Sequence, residues 1–285
     1  MSGPLLSVSS LCKSYPSFCL DHVSFSLEKG RIMGFIGRNG AGKTTTLKAI
    51  YGLVEPNEGE ILFHGEGRSP SFQSHIGLLF GGIDFYPSQR VKTLTSVTRR
   101  FYPDWDQGLY QKWISFFGID ENKRIRELSN GMKVKYGLSV ALSHGAELLL
   151  LDEPTSGLDP VSRDELLDCL VKVAEKGAGI LFSTHVISDL EKVCDDITYI
   201  QEGKIVYTGD LPSFKAGYLS VAGEESSLTE EKKAAIGHLR IKDGRFEGVI
   251  PAENASLFAG ETSPAKLEDI MLYIERGSED EKTPF

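Results

Sequence analysis

The stretch Gly37-Arg38-Asn39-Gly40-Ala41-Gly42-Lys43-Thr44 has the spacing G-x-x-x-x-G-K-[ST]. It follows an apolar run, Arg31-Ile32-Met33-Gly34-Phe35-Ile36, and precedes Thr45-Thr46-Leu47-Lys48-Ala49-Ile50, which reads as a helix. A strand, a glycine-rich loop and a helix N-terminus in that order predict a phosphate cradle. Glycines let backbone N–H groups turn toward a polyphosphate, and the positive end of the helix dipole faces the same anion. Lys43 can then reach the terminal phosphates, and the Thr44 hydroxyl can ligate Mg²⁺. The alternative is a chance glycine-rich turn, and the flanking strand and helix signals argue against it.

The chain around this loop is mixed. Upstream, Val23-Ser24-Phe25-Ser26-Leu27 alternates in period two and predicts a half-buried strand closed by a turn at Glu28-Lys29-Gly30. Downstream, Glu60-Ile61-Leu62-Phe63-His64-Gly65 reads as another strand. From about Asp84 to Gly145 helical periodicity dominates, with Leu109, Tyr110, Trp113, Ile114 and Phe117 as one apolar stripe that reads as a buried helix face. Leu148-Leu149-Leu150-Leu151 and Ile180-Leu181-Phe182-Ser183 are the continuous runs of strands buried on both faces of a parallel sheet, with a helical stretch, Ser162–Lys176, between them. Two hairpins follow, one over 197–207 and one over 239–250 with an Asp243-Gly244 turn. The polar segment Gly223–Lys233 between them reads as a linker, and the acidic last ten residues read as a frayed end. There is no internal repeat and one glycine-rich phosphate motif.

Composition narrows the function classes. With 31 basic and 40 acidic residues in 285, the formal charge is −9. That argues against holding nucleic acid by its phosphates, which needs a basic face, so no nucleic-acid partner is expected. Cys12, Cys19, Cys169 and Cys194 show no C-x-x-C spacing and no sequence clustering with histidines, and read as isolated reduced thiols. No apolar run approaches the roughly 20 residues of a membrane helix, and the N-terminus lacks a basic-then-apolar leader layout. Any membrane role is therefore expected to come through a partner.

Asp152 and Glu153 end the leucine run, at the strand edge where open α/β sheets bind ligands. Asp152 can hold Mg²⁺ directly or through water, and Glu153 can take a proton from, or orient, an attacking water. Kinases and GTPases share the phosphate loop, so four further segments decide the type. They are Leu128-Ser129-Asn130-Gly131-Met132, Pro154-Thr155-Ser156-Gly157-Leu158-Asp159, Ser183-Thr184-His185, and Tyr15 upstream of the loop. Together, over about residues 5–212, they resemble the ATP-binding-cassette (ABC) ATPases, in the order aromatic loop, phosphate loop, signature, acidic strand end, D-loop, switch histidine.

The resemblance implies an α/β fold: a P-loop NTPase core of ABC ATPase type with an antiparallel β subdomain, an inserted helical subdomain at about 84–145, and a small C-terminal extension. It implies a nucleotide-binding domain over 1–212 and an extension of unassigned role over 213–285. ATP and Mg²⁺ are the implied cofactors. Tyr15 would stack on adenine. Asn39, Gly40, Ala41, Gly42, Lys43, Thr44 and Thr45 would wrap the phosphates. Thr44 and Asp152 would hold the metal, Glu153 would act as base, and His185 would contact the γ-phosphate. Ser129 and Gly131 would face the γ-phosphate held by a second chain, so two chains, identical or different, would sandwich two ATP head to tail. Membrane-spanning permease subunits would be the other partners, with this chain peripheral at the cytoplasmic face of the cell membrane.

Two positions depart from the family pattern. Asn130 and Met132 alter the signature Leu-Ser-Gly-Gly-Gln while keeping Ser129 and Gly131. Gly81 stands where the family places the Q-loop glutamine after Ile76-Gly77-Leu78-Leu79-Phe80, with Asp84 and Gln89 as possible substitutes. A subunit without that glutamine is expected to be a slow ATPase in isolation. The signature variant and Phe101-Tyr102-Pro103-Asp104-Trp105-Asp106 are similar to a subset of bacterial ABC-2-type exporter ATPases associated with cell-envelope and antimicrobial-peptide responses. A soluble ABC ATPase acting on ribosomes or DNA is the second reading. It usually brings two cassettes or a long coiled-coil insertion, which this sequence lacks. A kinase or GTPase is the third, opposed by the signature and by Pro154–Asp159.

Overall fold

In the computed structural model, which describes residues 3–80, 86–258 and 260–276, the chain divides into two units, Met1–Thr208 and Gly209–Phe285. The first begins with a long hairpin, β1 (Leu6–Tyr15) and β2 (Phe18–Leu27), followed by β3 (Ile32–Ile36) and α1 (Lys43–Tyr51). Then come β4 (Glu58–Phe63), β5 (Glu66–Gly67), α2 (Pro70–Ser74) and β6 (Ile76–Phe80). Three helices, α3 (Val91–Thr98), α4 (Gln107–Phe116) and α5 (Asn130–Ser143), separate β6 from β7 (Leu148–Asp152). The unit continues through α6 (Pro160–Glu175), β8 (Gly179–Ser183), α7 (Ile187–Val193), β9 (Asp196–Gln201) and β10 (Lys204–Asp210).

Two sheets result. A four-stranded antiparallel sheet runs β2-β1-β4-β5, and a six-stranded sheet runs β10-β9-β3-β8-β7-β6. In the latter, β6, β7, β8, β3 and β9 are parallel. The leucine run of β7 is fully buried. Burying one leucine contributes about 1.5–3 kcal/mol, against roughly 1–2 kcal/mol for ordering its backbone, so a strand buried on both faces is held by its side chains. Register aligns Asp152 with Ser183 and Phe35 with Ser183. The segments after β3, β7 and β8 therefore leave from one edge of the sheet.

The inserted helices have their own core of Val91, Tyr110, Ile114, Ile119, Ile125, Leu128 and Tyr136. Of the predicted stripe on α4, Tyr110 and Ile114 are buried, and Leu109, Trp113 and Phe117 are half-buried. Thr95 Oγ1 lies 2.8 Å from the Tyr110 hydroxyl and 2.9 Å from the Tyr136 hydroxyl, tying α3, α4 and α5 together. No helix among the described residues is long and apolar enough to cross a membrane.

The second unit holds α8 (Leu211–Ala216), β11 (Tyr218–Glu224), α9 (Glu230–Ala235), β12 (Gly237–Lys242), β13 (Arg245–Pro251), β14 (Thr262–Pro264) and α10 (Leu267–Arg276). Its antiparallel sheet runs β12-β13-β11-β14 over a core of Val221, Ile236, Phe246, Ile250 and Phe258. The β12–β13 turn has Asp243 and Gly244 both left-handed, at φ 53° and 73°, as a two-residue hairpin requires. The expected linker, Gly223–Lys233, is ordered structure instead: the end of β11, a helical turn and the start of α9. Short caps and ion pairs organise it in place of an apolar stripe. Thr229 Oγ1 accepts from the Lys232 N–H at 3.2 Å, and Lys232 Nζ lies 2.8 Å from Glu261. Residues 277–285, most of the acidic end, lie outside the described residues.

Candidate functional site

The loop between β3 and α1 wraps a cavity of about 330 Å³ lined by Phe18, Asn39, Gly40, Gly42, Lys43, Thr44, Thr45, Asp152 and Glu153. Gly42 caps α1 at φ 116° with no side-chain cap. A Cβ there would lie 2.5 Å from Leu20 and 2.9 Å from Phe18, so sterics and backbone both require glycine. With no side chain on the first N–H groups of α1, they remain available to an anion at the positive end of the helix. Lys43 is buried, and its Nζ donates to the carbonyls of Gly37 (2.6 Å) and Arg38 (3.2 Å), drawing the loop around its own ammonium.

The acidic wall comes from β7. Asp152 Oδ2 accepts from Thr44 Oγ1 at 2.8 Å, and Oδ1 accepts from Ser183 Oγ at 2.5 Å. These bonds join the ends of β7 and β8 to the first turn of α1. Ser183 also receives the Glu153 N–H, through its carbonyl and its hydroxyl, both at 3.1 Å. Glu153 is left-handed at φ 52°, a conformation uncommon for residues other than glycine and one that clusters at functional sites. Its Oε2 is buried with no aligned hydrogen-bond donor among the described residues. The nearest cation-capable group is His185 Nδ1 at 2.7 Å, on a largely exposed ring. The site thus offers a lysine, a row of helix N–H groups, two oxygen donors 2.8 Å apart, and a second carboxylate at the cavity wall. That set suits a polyphosphate with a hard divalent cation and a water to activate.

The expected residues do not all meet. Asn39, Gly40, Gly42, Lys43, Thr44, Thr45, Asp152 and Glu153 line the cavity, and His185 adjoins Glu153. Ala41 is buried beneath the loop, its N–H bonded to the Arg38 carbonyl at 3.1 Å. Ser129 and Gly131 are not among the lining residues. Ser129 N-caps α5 by accepting from the Met132 N–H at 3.2 Å, and Gly131 is buried beside Leu158 of the D-loop and Ser162 of α6. Tyr15 is exposed and does not line the cavity; Phe18, its partner across the two-residue turn of the β1–β2 hairpin, does. Two residues escaped sequence reasoning: Phe18, signalled by an aromatic three positions after Tyr15, and the clamping role of Ser183, which only the β7–β8 register reveals. Gln89 does not line the cavity, and Gly81 and Asp84 lie outside the described residues.

The family profile described as ABC transporter matches residues 20–156. The ABC transporter ATP-binding protein YtrB of Bacillus subtilis is 35% identical over 205 residues, 71% of this chain and 70% of the relative. The bacitracin transport ATP-binding protein BcrA of Bacillus licheniformis is 32% identical over 71% of this chain and 68% of its own. The lantibiotic transport ATP-binding protein SrtF of Streptococcus pyogenes is 33% identical over 71% and 89%. Among solved structures, an ATP-binding subunit of an ABC transporter superposes with a TM-score of 0.68 at 28% identity, covering 74% of this chain and 92% of that one.

Proposed function

The chain belongs to the ATP-binding proteins of ABC transporters, and from that premise we propose that it drives export by closing on a second cassette with ATP held between the two. It is an ATPase subunit. The observation that carries the finer reading is that the cavity is lined by Asn39, Gly40, Gly42, Lys43, Thr44 and Thr45 of the loop together with the metal candidate Asp152 and the base candidate Glu153, while Ser129 and Gly131 are not among its lining residues. A cassette whose signature serves its own cavity would line it with both. A signature that serves a partner's cavity leaves both sites half-built until two chains meet head to tail.

In this reading the loop N–H groups and Lys43 bind the β- and γ-phosphates, and Tyr15 with Phe18 borders the nucleotide. Thr44 and Asp152 fit Mg²⁺, since both present hard oxygens 2.8 Å apart at the cavity. A Mg²⁺ held by Thr44 and Asp152 would supply charge neutralisation at the phosphates. Glu153 accepts the proton of the attacking water. His185, 2.7 Å from Glu153, holds that carboxylate and senses the γ-phosphate. The partners are a second cassette, identical or different, and membrane-spanning permease subunits, with this chain peripheral at the cytoplasmic face. Relatives named for bacitracin and lantibiotic transport support an antimicrobial peptide as cargo of the complex.

Glu153→Gln separates binding from chemistry. The amide still hydrogen-bonds water but cannot take its proton, so turnover should fall about 10²–10⁴-fold with ATP binding retained. With ATP and Mg²⁺ the variant should double its mass in light scattering. A monomer at saturating ATP and Mg²⁺ would contradict the two-chain sandwich.

A further inference from the structure

Away from the nucleotide cavity, β1 carries a second constellation. Leu11 pairs with Val23 and Lys13 with Leu20, so the single residue Cys12 lies opposite two residues of β2, Asp21 and His22. This bulge puts His22 at φ 52° and turns it outward between the buried Leu20 and Val23. On its other side Cys12 is paired with Glu58 of β4. Three strands thereby bring one sulfur, one imidazole nitrogen and one carboxylate oxygen within 4.8 Å of one another, with Cys12 half-buried and His22 and Glu58 exposed.

We propose that Cys12, His22 and Glu58 form a binding site for a borderline divalent transition-metal ion, Zn²⁺ being the best match. Thiolate with imidazole and carboxylate is a zinc donor set, whereas Mg²⁺ and Ca²⁺ take oxygen only. Tetrahedral Zn²⁺ with bonds of about 2.0–2.3 Å sets its ligands about 3.3–3.8 Å apart, so the three side chains need only a small inward adjustment. Three protein ligands leave a fourth position for water or for a group from another molecule.

The surroundings are those of a supported ligand set. Asp21 Oδ1 lies 2.5 Å from His22 Nδ1, and Asp21 Oδ2 lies 3.2 Å from Lys204 Nζ at the start of β10. A carboxylate on Nδ1 fixes that nitrogen as the N–H and leaves Nε2 with the lone pair, the arrangement that orients metal-binding imidazoles. The His22 backbone N–H donates to Cys12 Sγ at 3.4 Å, a bond that strengthens when the sulfur is a thiolate. Binding exchanges the thiol proton for the metal: the S–H bond breaks, the proton leaves to solvent, and the S–Zn bond forms.

The test uses the full chain without nucleotide. Zn²⁺ is titrated in competition with a chromophoric chelator, and Co²⁺ is added separately as a spectroscopic probe. The expected Co²⁺ spectrum has a near-ultraviolet thiolate-to-metal band that disappears in Cys12→Ser and persists in Cys19→Ser. The oxygen donors of the nucleotide cavity cannot produce that band. His22→Ala and Glu58→Gln should each weaken Zn²⁺ binding by at least about tenfold, and Asp21→Asn by about 10–100-fold through the outer shell. Melting curves check that each variant is folded; His22 and Glu58 are exposed, so they carry the test if Cys12→Ser does not fold. No thiolate band in the parent protein, or parental Zn²⁺ affinity in His22→Ala and Glu58→Gln, overturns the proposal.

Discussion

Lys43 and Ser183 show how single side chains hold the nucleotide cavity together. Lys43 closes the loop on two carbonyls, and in the proposed function it would supply the cation among clustered phosphate charges. Lys43→Ala should cut ATP turnover at least about 100-fold, since an electrostatic contact of this kind stabilises the transferring phosphoryl group by several kcal/mol. Steady-state hydrolysis by purified, folded protein checks this, and a parental rate would refute the site. Ser183 does not line the cavity; it positions Asp152 and the Glu153 backbone. Ser183→Ala leaves Asp152 Oδ1 without that donor inside the sheet edge. Stability should drop by about 1–3 kcal/mol, with the Mg²⁺ concentration for half-maximal rate moving further than the KM for ATP. Equal movement of both would mean that the serine serves packing alone.

At the scale of elements, the helical insertion depends on a buried polar knot. Thr95 bridges Tyr110 and Tyr136, and Tyr110 donates on to Glu121 at 3.0 Å. Thr95→Val keeps the volume and leaves two buried phenols short of a partner, so urea denaturation should report a loss of about 1–3 kcal/mol. The same knot predicts alkaline sensitivity. Burial pushes the Tyr136 phenol up to about 12 from 10.0, and burial raises Tyr110 as well. The unfolded chain thus loses these protons first. The stabilisation is complete below pH 10, falls as pH rises toward 12, and for Tyr136 amounts to about 3 kcal/mol. Urea midpoints across that window should decline less steeply in Tyr136→Phe than in the parent, and parallel slopes would exclude Tyr136 as the cause.

For the whole molecule, each unit has its own apolar core, so residues 1–212 should fold and bind ATP without the rest. A fluorescent ATP analogue and a melting curve test this; an unfolded 1–212 fragment would mean that residues beyond 212 are needed for its folding. The sequence by itself determined the kind of fold and most of the cavity. Phosphate loops and buried parallel strands are local in the chain: Gly42 must be glycine, and β7 must be apolar, wherever the rest of the protein lies. The hairpins and the α4 stripe were legible for the same reason, since period and turn chemistry act within about ten residues. Gly223–Lys233 was misread because polar caps and ion pairs leave no periodic trace. Only the tertiary structure decided what depends on residues far apart in sequence. The β7–β8 register makes Ser183 the clamp on Asp152, and a hairpin turn brings Phe18 to the cavity. A bulge sets Cys12 against His22 while the neighbouring strand supplies Glu58, and none of these distances is encoded by residues adjacent in the chain.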